Sequence, residues 1–277
     1  MAERRSVLLI HGGTGSRPSR ERITRIRRSL RAICREAYGF LQAHSALEAS
    51  AYAVQLLEDD PLFNAGTGSV VQEDGRVRMS ASVMDGARRR FSGVLIVERV
   101  RHPVLVAKAL LDGEDRVLAA SGAARFARSA GYARWDPLTP ARRRDRTAQG
   151  TVGAVALDRA GRLAAATSTG GKGCERVGRV SDSGLPVGNY ATAQAAISCT
   201  GHGEEIIDEG VAVRIAQRVD DGAPIGRAFA RTFQELRSRR RRVGAIGLDR
   251  SGRWVWATTL PVLFAVGQAG VRRVESF

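Results

Sequence analysis

Lysine is almost missing from this 277-residue chain: Lys108 and Lys172 stand alone, and the other 42 of its 44 basic residues are arginines. Cysteine is scarce too. Cys34, Cys174 and Cys199 are odd in number and widely spaced, which excludes a disulfide framework and suits a reducing, cytoplasmic setting. No apolar run approaches the roughly 18 residues that span a bilayer, and Val7–Ile10 is too short for a secretory leader. The four histidines show no H-x-x-x-H spacing and the cysteines no C-x-x-C, so a zinc site is not expected. Gly12–Ser16 lacks the lysine of a phosphate-binding loop, and Asn64–Gly68 lacks the spacing and strand-to-helix context of a dinucleotide site. There is no G-x-S-x-G elbow.

What is present is an ordinary globular composition, 43% hydrophobic and 26% charged, with enough chain for one large domain or two small ones. The net charge of +16 raises the question of nucleic acid. The arginines are spread along the whole chain, aromatics are only 5%, and no recognisable binding module accompanies the charge. A solvated basic surface is the better reading, and nucleic acid is disfavoured as a partner.

Val7–His11 reads as a buried strand stopped by Gly12-Gly13-Thr14-Gly15. Ile23, Ile26, Leu30 and Ile33 give helical spacing over 19–37, with Ser19 as cap; Ser45 and Glu48 form a capping box for a helix to about Glu58. Strands are expected at Ser69–Gln72 and Arg76–Met84 around an Asp74-Gly75 turn, and at Phe91–Val97. Helices are expected at Pro103–Leu111, Ala119–Ala130, Gly203–Arg218 and Pro224–Arg237. The polar stretch Asp136–Gly150 reads as an unpatterned linker or processing segment.

An internal repeat follows. Residues 152–167 and 243–258 agree at ten of sixteen positions, each an apolar strand, a D-R-x-G turn and a second apolar strand. Each copy is expected to be a hairpin buried on both faces, and the alternation of helices and hairpins suggests an α+β fold of stacked sheets with helices outside, four layers in all. Only the first copy is preceded by Gly150-Thr151; the second follows Arg241-Arg242. Locally, Gly-Thr is read more readily as a glycine turn opening a β-branched strand.

Thr, Ser and Gly are dense after residue 150. A threonine hydroxyl needs a base, and a chain cut before Thr151 would supply one in its own α-amino group, with a typical pKa of about 7.7–8.0. Thr200-Gly201 offers a hydroxyl and a backbone N–H for an oxyanion. Arg179 could clamp a carboxylate and Asp182 hold an ammonium, or the two could form an ordinary surface ion pair.

Seven stretches in order then resemble one family: Leu8–Gly15, Asp60–Ser69, Ser82–Gly86, Gly150–Asp158, Ala166–Gly171, Gly178–Ser183 and Thr200–Glu204. Together they are similar to the plant-type asparaginase/isoaspartyl aminopeptidase family of N-terminal nucleophile hydrolases. The resemblance implies a four-layer αββα sandwich, made as a precursor and cut between Gly150 and Thr151 into chains 1–150 and 151–277. It implies Thr151 as nucleophile, with Thr169 beside it orienting the freed amine and assisting cleavage. It implies Arg179, Asp182 and the Gly203 carbonyl as substrate contacts, Thr200 and Gly201 as oxyanion donors, and Asn64 near the nucleophile. No organic cofactor is implied. The backbone of Leu57, Glu58, Asp60, Phe63, Ala65 and Thr67 resembles the family's sodium loop. The implied substrate is L-asparagine or a β-aspartyl dipeptide, and the implied assembly is (αβ)₂. Glycosylasparaginase-like or threonine-aspartase-like specificity is the rival within the fold; a nucleic-acid-binding protein on an inactive scaffold is the rival outside it. Three departures bear on substrate preference: Ser80 in place of Asp, Ser181 in place of Gly, and the stretch Lys172–Arg176 beside the pocket.

Overall fold

The computed structural model describes residues 5–144 and 150–276. It contains two stacked sheets. In the larger, β1 (Val7–Gly15) lies between β11 (Val262–Ala269) and β5 (Val152–Leu157). Beyond β5 come β6 (Leu163–Thr169), β2 (Met79–Asp85), β3 (Arg90–Val97) and β4 (Val117–Ala119), and β12 (Arg272–Ser276) closes the opposite edge. The smaller sheet runs β10 (Trp254–Thr258), β9 (Val243–Asp249), β8 (Ala195–Gly201), β7 (Asn189–Ala191).

Strand alternation builds three cores. On β1, Leu8 and Ile10 point to the core shared with helices α1 (Arg20–Leu41), α2 (Ala46–Asp59) and α3 (Pro103–Leu110), while Val7 and Leu9 point to the core between the sheets. On β5, Val152, Ala154 and Ala156 face the helices and Val155 and Leu157 the other sheet. A third core joins the small sheet to α6 (Gly203–Glu209), α7 (Val211–Asp220) and α8 (Ile225–Ser238). This is the four-layer αββα sandwich. A last pair of helices, α4 (Ala120–Ser129) and α5 (Pro140–Arg144), lies between β4 and β5 in the chain.

Sequence signals place α1 and α2 closely. Ser19 caps α1 by accepting the Arg22 N–H, and Ser45 and Glu48 form the reciprocal capping box of α2.

Several expectations need correction. Gly12–Gly15 does not stop β1; the strand bulges between His11 and Thr14 and continues to Gly15. Residues 69–72 form no strand, although the turn survives through the Gln72 N–H to Arg76 carbonyl bond. The expected helix 203–218 breaks at Gly210, whose left-handed backbone ends α6 and opens α7. The linker is partly built: α5 falls inside it, and Arg142 is buried there, donating to the Gly68 carbonyl at 2.6 Å. The rest of that segment, 145–149, lies outside the described residues, as do Glu3 and Arg4. The second repeat hairpin is not buried on both faces, because β10 is an edge strand and half-buried throughout. Among the described residues no helix is long and apolar enough to cross a membrane.

Candidate active site

The first repeat hairpin carries Thr151 immediately before β5 and Thr169 at the end of β6. Val152 pairs with Ser168 across the hairpin, so the two threonines are neighbours at its open end, both buried. The Gly150 carbonyl accepts from Asn64 Nδ2 at 3.1 Å and from Thr169 Oγ1 at 3.3 Å. Asn64 is itself fixed, donating to the Gly171 carbonyl at 2.6 Å and accepting the Val70 N–H at 3.0 Å. Gly150 has φ +146, and a Cβ on Gly13 would meet its Cα at 3.1 Å. Two glycines thus let β1 approach the peptide bond at a backbone shape a side chain would resist.

This hairpin end opens on a cavity of about 270 Å³ lined by Gly150, Thr151, Thr169, Arg179, Asp182, Gly201 and Gly203, among others. Six sites expected from sequence therefore share one cavity with Gly150. Asn64 is reached through its bond to Gly150. Thr200 is not on the wall: it is fully buried on β8, one residue behind Gly201, and its hydroxyl has no hydrogen-bond partner.

Asp182 opens a 3-10 turn capped by Ser181, whose hydroxyl accepts the Ser183 N–H. That gives the departure at 181 a local role. Burial pushes the Asp182 carboxyl up to about 7, with Arg179 pulling the other way, and its Oδ2 has no partner. A buried acid with an unpartnered oxygen suits an incoming ammonium.

Arg179 is already paired, though not with Asp182. Its Nε and Nη2 donate to the two oxygens of Glu204 at 2.9 and 2.8 Å. Burial works against its charge, but the Glu204 bonds and nearby carboxylates hold the guanidinium above its ordinary value. Ser80 sits opposite Thr169 on the neighbouring strand and accepts the Ile96 N–H at 3.1 Å, so it serves the irregular β2–β3 pairing.

Two lining residues carry no assigned role in the sequence reading, although one of them, Lys172, belongs to the stretch expected beside the pocket. Lys172 reaches Glu204 at 3.5 Å from within the departing stretch. Arg242, the residue before the second repeat copy, lines the same cavity as Thr151 before the first; the repeat itself pointed to it. His11 is a packed histidine, as expected: its Nε2 shares a 2.7 Å bond with Ser198, and burial lowers its pKa to about 3.

The sequence pattern of the asparaginase family matches residues 4–146 and 138–274. The chain is 43% identical to an isoaspartyl peptidase/L-asparaginase of Synechocystis, the alignment covering 95% of this chain and 88% of the relative. It is 40% identical to an isoaspartyl peptidase of Salmonella typhimurium over 79% of this chain and 80% of the relative. A plant-type L-asparaginase of Pyrococcus abyssi is 35% identical over 73% of this chain and 75% of its own length.

Proposed function

The chain belongs to the asparaginase family and is a hydrolase, and on that premise we propose that it cleaves L-asparagine and β-aspartyl dipeptides with Thr151 as its nucleophile. The observation that carries this reading is the Gly150 carbonyl, held by Asn64 and Thr169 at the wall of a cavity that also contains Arg179 and Asp182.

The chain first cuts itself. Thr151 Oγ attacks the Gly150 carbonyl carbon; the C–N bond breaks as an ester forms, and the nitrogen takes up the proton. Asn64 and Thr169 donate to the oxygen on which negative charge develops. Water then hydrolyses the ester, leaving a Gly150 carboxylate and a free amine on Thr151. That amine takes the Thr151 hydroxyl proton when the oxygen attacks the substrate's side-chain carbonyl. Ammonia or an amino acid leaves, and water releases aspartate. Arg179 takes the substrate's α-carboxylate, Asp182 and the Gly203 carbonyl its ammonium, and the Gly201 N–H the oxyanion, the unpartnered Thr200 hydroxyl lying one residue behind it.

The products of self-cleavage, 1–150 and 151–277, stay together as (αβ)₂. A sodium ion in the turn 57–67 belongs to the same proposal: main-chain carbonyls at the negative end of α2 would hold it. The Thr67 N–H to Glu58 carbonyl bond at 2.7 Å folds the loop around that point. Nothing in the steps above depends on the ion.

Assays with L-asparagine, a β-aspartyl dipeptide and a glycosylated asparagine test the reading. Release of aspartate from the first two is expected. A fully cleaved sample that turns over neither would overturn it.

A further inference from the structure

We propose that Glu204 is a positioning residue for substrate binding: its carboxylate occupies one edge of the Arg179 guanidinium and so presents the other edge to the substrate's α-carboxylate. This rests on the reading of Arg179 given above.

The geometry is specific about which edge is used. Glu204 takes the Nε–Nη2 edge, one oxygen to each nitrogen. A guanidinium carries five N–H donors in a rigid fork, so Nη1 and one hydrogen of Nη2 remain, enough for a second bidentate carboxylate. Arg179 itself is only 12% exposed and lines the cavity. It is also confined from below, because a Cβ on Gly203 would lie 2.7 Å from Nη2. A flexible arginine would spend rotamer freedom on meeting its ligand; this one is held before the ligand arrives.

Glu204 is held in turn. It lies in the first turn of α6, where unpaired backbone N–H groups favour a carboxylate. Lys172 Nζ at 3.5 Å and His202 Nδ1 at 3.7 Å add two further basic groups. The Arg179 hydrogen bonds hold its pKa down to about 2, so it stays charged wherever the enzyme works.

The test compares Glu204→Ala and Glu204→Gln with wild type. Self-cleavage does not use Arg179, so normal conversion to two chains shows that each variant has folded. In Glu204→Ala, KM for L-asparagine should rise about tenfold or more while kcat changes less than about threefold. Glu204→Gln, which keeps one acceptor, should fall between. Hydrolysis of 3-aminopropionamide, which lacks the α-carboxylate, should not change. An unchanged KM in a fully cleaved Glu204→Ala overturns the proposal, and a lowered KM would make Glu204 a competitor for the site. If cleaved wild type turns over neither substrate, the reading of the site fails separately. Calorimetry with L-aspartate still decides on Glu204, because a tenfold weaker affinity in Glu204→Ala is expected and an equal affinity would overturn the proposal.

Discussion

The two copies of the repeated hairpin share most of their residues and none of their circumstances. The first, β5–β6, lies in the middle of the eight-stranded sheet, flanked by β1 and β2 and buried on both faces. The second, β9–β10, forms one side of the four-stranded sheet, with β10 as its half-buried edge. The residues ahead of each copy meet at one cavity and do different things there. Ahead of the first, Gly150 presents its carbonyl to Asn64 and Thr169. Ahead of the second, the Arg242 carbonyl accepts the His202 N–H at 2.9 Å and its side chain holds Glu205 at 2.6 Å. The arginine ahead of the second copy thus braces the segment 202–205 beside the cavity that Thr151 lines. The hairpin is scaffold in both places; the chemistry comes from the preceding residue and from what the neighbouring strands bring to it.

The sharpest way to break this asymmetry is Thr151→Ala. Processing and turnover should vanish together while the chain stays at 29.8 kDa on a denaturing gel. Adding Arg241→Gly and Arg242→Thr to that variant should restore neither, because Asn64 and Thr169 serve only the first copy.

Arg179→Lys comes next. An ammonium cannot bond Glu204 and a substrate carboxylate as a planar fork does. Loss of a charged hydrogen bond, about 1.5–3 kcal/mol, corresponds to a roughly 10- to 150-fold lower kcat/KM for L-asparagine. Arg89→Lys, at an exposed pair with Asp220, is the control and should leave kinetics unchanged.

Asp182→Asn should abolish turnover yet stabilise the fold at alkaline pH. The folded carboxyl titrates near 7, against an ordinary value of 3.8. Between those values the folded state keeps a proton that the unfolded state has lost, so wild-type stability falls as pH rises through that window. The Asn variant escapes this loss. Its stability advantage should reach a few kcal/mol at most at pH 8, taking about 1.4 kcal/mol per pKa unit, should show there as a higher Tm, and should vanish near pH 4. Equal Tm values at pH 8 would remove burial as the cause of the shift.

The smallest effect compares equivalent glycines of the two copies. A Cβ at Gly153 would lie 2.0 Å from Ser198 Oγ and 2.4 Å from His11 Nε2. Gly153→Ala should therefore cost about 1–3 kcal/mol in denaturant unfolding. At Gly244 the nearest atom is Thr14 Cβ at 3.2 Å, so Gly244→Ala should cost less. Similar costs would mean that the two hairpins are held equally tightly.

Local signals identified what local chemistry decides. The caps Ser19 and Ser45, the buried apolar runs of β1 and β5, and the turn at Asp74-Gly75 were legible because they act within a few residues. The layers followed from the repeat. The half-exposure of β10 was hidden because Trp254-Val255-Trp256 reads as core, and only the sheet's edge leaves it open. β11 and β12 went unread, although they complete the sheet beside β1. In the candidate site, the residue types resembling family motifs were readable, but their couplings were not. Arg179 and Glu204 are 25 residues apart and meet only because α6 folds back over the 3-10 turn at Asp182. Ser80 and Ser181 read in sequence as departures bearing on substrate preference, and in the structure each accepts a backbone N–H.

The account's central claim is that one threonine, placed by the first hairpin alone, both cuts the chain and performs the catalysis. Mass analysis with N-terminal sequencing of incubated wild-type protein, read beside its rate on L-asparagine, tests it most directly. Two chains of roughly 16 and 14 kDa are expected, the 29.8 kDa total divided in proportion 150 to 127. The smaller should begin Thr-Val-Gly-Ala, and activity should grow in step with its appearance. A single uncut chain hydrolysing asparagine as fast as a cleaved one would contradict the account.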